Sequence, residues 1–149
     1  MDRDSAIEPS DVTMTELPRN HAPSGPVIVS VCTTCKSTDG SGAVVGPDMF
    51  AAMTAALGDS EVMVRPVQCL SVCKRPATVA VTSPDGYTFL FGDLQTDSGS
   101  AALVAFVQSY QKSDYGLVPW RERAEVLRKG MVARVPPQHW SPDDGRAPK

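Results

Sequence analysis

Two periodicities share this chain. Val27 to Val31 (VIVSV) is a β-branched run ending against Cys32, the pattern of a buried strand that delivers a side chain at its C-terminal end. A polar, glycine-bearing stretch follows (KSTDGSGAVV), and the spacing then changes to that of a helix. Gly46 and Pro47 suit the helix start, Asp48 complements the dipole, Phe50, Met53 and Leu57 share one face, and Gly58 closes the element. Glu61 to Gln68 (EVMVRPVQ) reads as a second strand whose far end is demoted to an edge or a bend by Pro66. Thr78 to Thr82 (TVAVT) and Tyr87 to Phe91 (YTFLF) form a hairpin about the turn Ser83, Pro84, Asp85, Gly86. A helix from Asp97 or Ser98 to Tyr110 places Leu103, Phe106, Val107 and Tyr110 on one buried stripe.

The order is therefore β-α-β-β-β-α, an α/β sandwich with helices on one small sheet, the first two strands parallel and the hairpin antiparallel. Tyr87, Phe89, Phe91, Phe50 and Phe106 read as core. Three segments follow: an N-terminal arm at residues 1–26, acidic and without apolar period; a domain at 27–110; and a C-terminal extension at 111–149. Within the extension, Trp120 to Lys129 is expected to be a helix with Trp120, Ala124 and Leu127 on one side and Gly130 as its stop, acting as a lid over the domain or a dock for a partner. The remainder is expected to be extended or loose.

Composition narrows the setting. With 42% hydrophobic and 21% charged residues, the 149-residue chain has the make-up of a globular domain. No apolar h-region follows the N-terminal charges and the longest apolar run, Ala101 to Val107, is too short to span a bilayer, so the expected compartment is the cytoplasm, without membrane attachment. Residues 1–110 carry six Lys/Arg against twelve Asp/Glu, and residues 111–149 eight against five. That basic excess is too thin for a nucleic-acid footprint.

The chain's four cysteines lie in two short stretches, Cys32 and Cys35 in VCTTC, Cys69 and Cys73 in QCLSVCK. Both pairs should leave strand ends at one edge of the sheet, and four thiolates are a complete ligand set for zinc or for a 2Fe-2S cluster. Structural zinc commonly uses two tight pairs in a mini-domain that lacks a core. Here a core is expected, and the second pair's three-residue spacer gives a wider loop, which favours the 2Fe-2S cluster. Gly40, Gly42, Ser37 and Thr33 are candidate donors toward its sulfurs, and Lys74 and Arg75 lie beside its charge of about −2 or are solvated surface charges. A thioredoxin-type dithiol at Cys32 and Cys35 is the competing reading, weakened because Lys36 to Val45 reads as a loop where such a dithiol needs a helix N-terminus. A Rieske centre needs histidines near the cysteines, and His21 and His139 are far from them in sequence. No phosphate loop, nucleophile elbow or HExxH pattern occurs, and nothing names a substrate.

On VCTTC, VQCLSVCKRP, YTFLFGDL, YGLVPWRER and ARVPP, the chain resembles a bacterial family of predicted metal-binding proteins, often linked by genome context to cobalamin synthesis, over about Val27 to Pro137. That family is similar to the thioredoxin-like 2Fe-2S ferredoxins, whose cysteines follow the first and second strands. The resemblance implies a thioredoxin-like ferredoxin sandwich, Cys32, Cys35, Cys69 and Cys73 as cluster ligands, and a homodimer. The first pair here has a two-residue spacer where those ferredoxins have a longer one. The function expected is a cluster-bearing electron carrier or accessory protein working with a redox partner, not an enzyme by itself; the alternatives are a four-cysteine zinc protein that handles metal and a thiol or cluster redox sensor.

Overall fold

Val29 and Val31 point from the first strand into a wholly buried layer, while Pro66 sits on the next strand where no further neighbour needs its missing N–H. The computed structural model describes residues 22–23 and 25–138. The elements are β1 (Ile28–Cys32), α1 (Gly46–Leu57), β2 (Met63–Val67), β3 (Val79–Ser83), β4 (Gly86–Phe91), α2 (Thr96–Lys112), α3 (Glu125–Gly130) and β5 (Met131–Val135). The five strands form one sheet in the order β2-β1-β3-β4-β5. β1 and β2 are parallel; β1–β3, β3–β4 and β4–β5 are antiparallel. The expected α/β sandwich of order β-α-β-β-β-α is thus present through α2. Histidines 21 and 139 and the N-terminal arm through residue 21 lie outside the described residues.

The core joins Val29, Val31, Val79, Val81, Phe89 and Phe91 of the sheet to Met49, Met53 and Leu57 of α1 and Leu103, Phe106, Val107 and Tyr110 of α2. The rings interlock edge to face: Phe106 meets Phe89 and Phe91 at centroid distances of 5.0 and 5.1 Å. Tyr110 is wholly buried, and its hydroxyl donates to Tyr87 O at 2.7 Å and meets Ser83 Oγ at 3.0 Å, tying α2 to the β3–β4 turn. Burial, opposed by the Ser83 bond, pushes its phenol up to about 12.

Three expectations are corrected. The buried stripe of α1 is Gly46, Met49, Met53 and Leu57, with Phe50 half-buried at its margin, because the N-terminal turn packs directly on the chain at Cys32 and Thr33 and rotates the helix. The helix expected from Trp120 to Lys129 is broken: Trp120–Glu122 is a 3₁₀ turn, Arg123 and Ala124 are extended, and the α-helix begins at Glu125. The break turns Arg123 inward, where its Nε and Nη2 donate to Val118 O at 3.1 and 2.9 Å and its guanidinium lies 5.5 Å from the Phe89 centroid. Trp120 is left 59% exposed beneath Arg128, so it does not seal the domain. Finally, residues 131–135, read as extended or loose, are an edge strand of the sheet. Gly130 allows the handover from helix to strand, since a Cβ at that position would overlap Gly92 O, and the Gly92 N–H donates to Gly130 O at 2.7 Å.

Candidate functional site

Parallel pairing of β1 with β2 brings the C-terminal ends of both strands to the same rim, and both cysteine-bearing loops leave from there. Cys32 closes β1, two residues before the end of the first motif's spacer, and is 2% exposed; Cys35 is 4% exposed. Their sulfurs stand 3.1 Å apart. Cys69 and Cys73, two and six residues beyond β2, are exposed and their sulfurs are 4.0 Å apart. The structure therefore presents an inner and an outer dithiol.

The two loops are laced together. Thr33 N–H and Oγ1 both donate to Val67 O, at 2.9 and 3.1 Å. The Thr34 hydroxyl donates to Gln68 O, and Cys32 Sγ lies 3.9 Å from the same carbonyl. The Leu70 backbone, from inside the second motif, lies where it favours the Cys32 thiolate. Cys32 also receives the Cys35 thiol and groups of Thr34. Burial pushes the Cys32 thiol up, but these donors outweigh it and bring it down to about 7. Cys35 moves the other way: burial and the charge of its neighbour raise it, against the Thr78 hydroxyl 3.4 Å away. Cys73 is raised by its hydrogen bond with Cys69 and by the charge of Cys69, with a smaller contribution from Cys32. Ser71, at φ 64°, turns its N–H onto Cys69 Sγ at 3.2 Å.

The donors expected from the glycine-bearing loop are not at the sulfurs. Gly40 (φ +91°) and Gly42 (φ +73°) stand in open space, and Ser37 is engaged with Ala43 and Asp39. The loop is held by its own turns and by a bridge between Lys36 and Val44, while Val45 N–H donates to Cys35 O at 2.8 Å. Thr34, Leu70, Ser71 and Thr78 supply the donors instead. Thr34 and Ser71 sit beside the cysteine that each serves, so their proximity was available from the spacing; that of Leu70 and Thr78 to the inner pair was not. No helix begins at Cys35; the next, α1, starts at Gly46, so the helix N-terminus that a thioredoxin-type dithiol uses is missing there. Arg75 is engaged with Asp93 at 2.7 Å and with Lys129 O at 3.2 Å, while Lys74 is exposed.

The donor set fits a thiolate-bound metal or cluster in kind, with four sulfurs on two adjoining loops and N–H groups aimed at two of them. The sulfurs stand as two pairs and not as one set of four: among the described residues, no three His, Cys, Asp or Glu side chains are grouped closely enough to hold a metal ion. Among those residues, too, no helix is long and apolar enough to cross a membrane.

The chain belongs to a family described as protein of unknown function (DUF1636), whose model matches residues 29–137. No curated protein matches it significantly. Two solved structures, both of a thioredoxin-like [2Fe-2S] ferredoxin from Aquifex aeolicus, are similar to it. One is 14% identical, with a TM-score of 0.49 over 78% of this chain and 100% of the ferredoxin. The other, the wild-type protein, is 16% identical, with a TM-score of 0.47 over 74% and 99%.

Proposed function

We propose that this protein is a 2Fe-2S carrier or cluster-bearing accessory protein, with Cys32, Cys35, Cys69 and Cys73 as ligands. The observation that supports this most directly is the lacing of the second cysteine loop onto the first, Gln68 O meeting both Cys32 Sγ and the Thr34 hydroxyl and Val67 O accepting from Thr33, since it holds the two cysteine loops together at one rim of the sheet. When bound, such a cluster supplies one-electron chemistry. The chain's own contribution is to deliver Cys32 and Cys35 from a rigid, buried strand end and Cys69 and Cys73 from an exposed loop, so that the outer ligands face a redox partner. The amide groups of Leu70 and Ser71 stabilise sulfur-borne charge, the usual means by which protein donors raise a cluster's reduction potential.

In this reading the protein is cytoplasmic, homodimeric and not itself an enzyme, and its place in cobalamin synthesis rests on the family resemblance alone. Anaerobically purified protein is expected to be red-brown, with about two irons and two sulfides per chain. A colourless protein holding one zinc ion per chain would replace the cluster with the four-cysteine zinc reading.

A further inference from the structure

We infer that the metal-free chain exchanges thiols with small disulfides, Cys69 and Cys73 serving as the entry dithiol and Cys32 and Cys35 as the pair that finally holds the disulfide. This goes beyond the cluster reading, because it concerns the four thiols without inorganic iron or sulfide.

Access and spacing carry it. The outer pair is exposed and the inner pair is 2 and 4% exposed, so an external disulfide meets Cys69 and Cys73 first. The inner sulfurs are the closer, 3.1 Å against 4.0 Å, and their loop is anchored by Val45 N–H on Cys35 O. The entry loop lies against the inner pair, with Cys32 Sγ 3.9 Å from Gln68 O, immediately before Cys69. Intrapair bonds are therefore the ones favoured by geometry, and transfer between the pairs requires the exposed loop to swing Cys73 toward Cys32.

Glutathione disulfide illustrates the steps. The Cys69 thiolate attacks one of its sulfurs, the S–S bond breaks, and one glutathione thiolate leaves with the electron pair. Cys73 then attacks Cys69 Sγ and expels the second, closing Cys69–Cys73. Cys32 next attacks Cys73 Sγ and expels Cys69 as a thiolate, which is stabilised by Ser71 N–H at 3.2 Å. Cys35 attacks Cys32 Sγ and releases Cys73. In sum, two electrons and two protons pass from Cys32 and Cys35 to one glutathione disulfide, giving two glutathiones and regenerating the outer dithiol.

The test uses the full-length chain, stripped of metal with a chelator, reduced, and mixed with one equivalent of glutathione disulfide. Samples are acid-quenched, alkylated and mapped; cleavage at Lys36 separates the two pairs, so bonds within and between pairs differ in mass. The expected course is early Cys69–Cys73, decaying as Cys32–Cys35 accumulates. In Cys32→Ser the outer disulfide should form and persist. In Cys69→Ser with Cys73→Ser, Cys32–Cys35 should form at least tenfold more slowly. Direct early formation of Cys32–Cys35, an unchanged rate in that double variant, or end products linking the two pairs would each overturn the inference. Iron and sulfide content of anaerobically purified protein is measured separately, so failure of the cluster reading is told apart from failure of this one.

Discussion

Replacing Gly46 by alanine tests whether the fold itself holds the inner dithiol in place. Gly46 is the first residue of α1, and a Cβ built there overlaps Cys32 O and comes 2.7 Å from both Thr33 Cα and its carbonyl carbon. These are backbone atoms, so no rotamer change relieves the clash. Restoring ordinary contact with Thr33 from 2.7 to 3.4 Å requires a separation of about 0.7 Å, and clearing Cys32 O requires more. Two terms oppose each other. Alanine gains at most about 1 kcal/mol in helix propensity, whereas overpacking costs roughly 1–3 kcal/mol, the upper end applying to rigid backbone. Overpacking wins, and the net loss should be about 2 kcal/mol, visible as a fall of roughly 5–15 °C in thermal midpoint. The displacement falls on the segment between Cys32 and Cys35, so iron and sulfide content should drop together with stability. Urea unfolding followed by circular dichroism, with visible absorption of anaerobically purified protein, measures both. A variant as stable as the parent and equally loaded would refute the packing argument and its link to the site.

Tyr110→Phe should destabilise the fold by about 1–3 kcal/mol, because Tyr87 O and Ser83 Oγ lose a buried partner, yet leave cofactor content per folded chain unchanged. The phenol is raised from 10 to about 12, so its contribution is complete below pH 10 and lost as pH climbs toward 12; the gap between parent and variant in urea midpoint should close over that interval. Cys69→Ser and Cys73→Ser should each lose the cluster or hold it weakly, and either variant with full iron and sulfide would remove that residue from the ligand set. Ser71→Gly should keep cofactor content, since φ 64° suits glycine and the amide donor to Cys69 Sγ is retained, while Ser71→Val should lower it by straining that turn; equal metal content in the two would count against the strain.

Much of this molecule was legible from periodicity. The stripe Leu103, Phe106, Val107 and Tyr110 is wholly buried along α2, Tyr87, Phe89 and Phe91 line the core, and Pro66 does lie on an edge strand. These are local signals, each written within one element. Phe50 was legible as apolar but not as marginal, since the rotation of α1 is set by how closely Gly46 packs on the Cys32–Thr33 backbone. The break at Arg123 was hidden because Trp120 to Lys129 has good helical spacing, and only the buried carbonyl of Val118 and the ring of Phe89 draw the arginine inward. β5 was missed for a related reason: a five-residue segment gains strand structure from pairing with β4, not from its own pattern.

The sequence by itself determined the supply of sulfur, the pairing of cysteines at two strand ends, and the alternating faces of a small α/β sandwich, because all three are expressed in spacing along a few residues. Tertiary structure alone decided that one dithiol is buried and the other exposed, that Leu70 and Thr78 serve the inner sulfurs in place of Gly40 and Gly42, and that the segment beyond α2 completes the sheet. Those outcomes depend on which strand ends meet and which buried polar atoms must find partners, and such conditions are met only once distant parts of the chain are in contact.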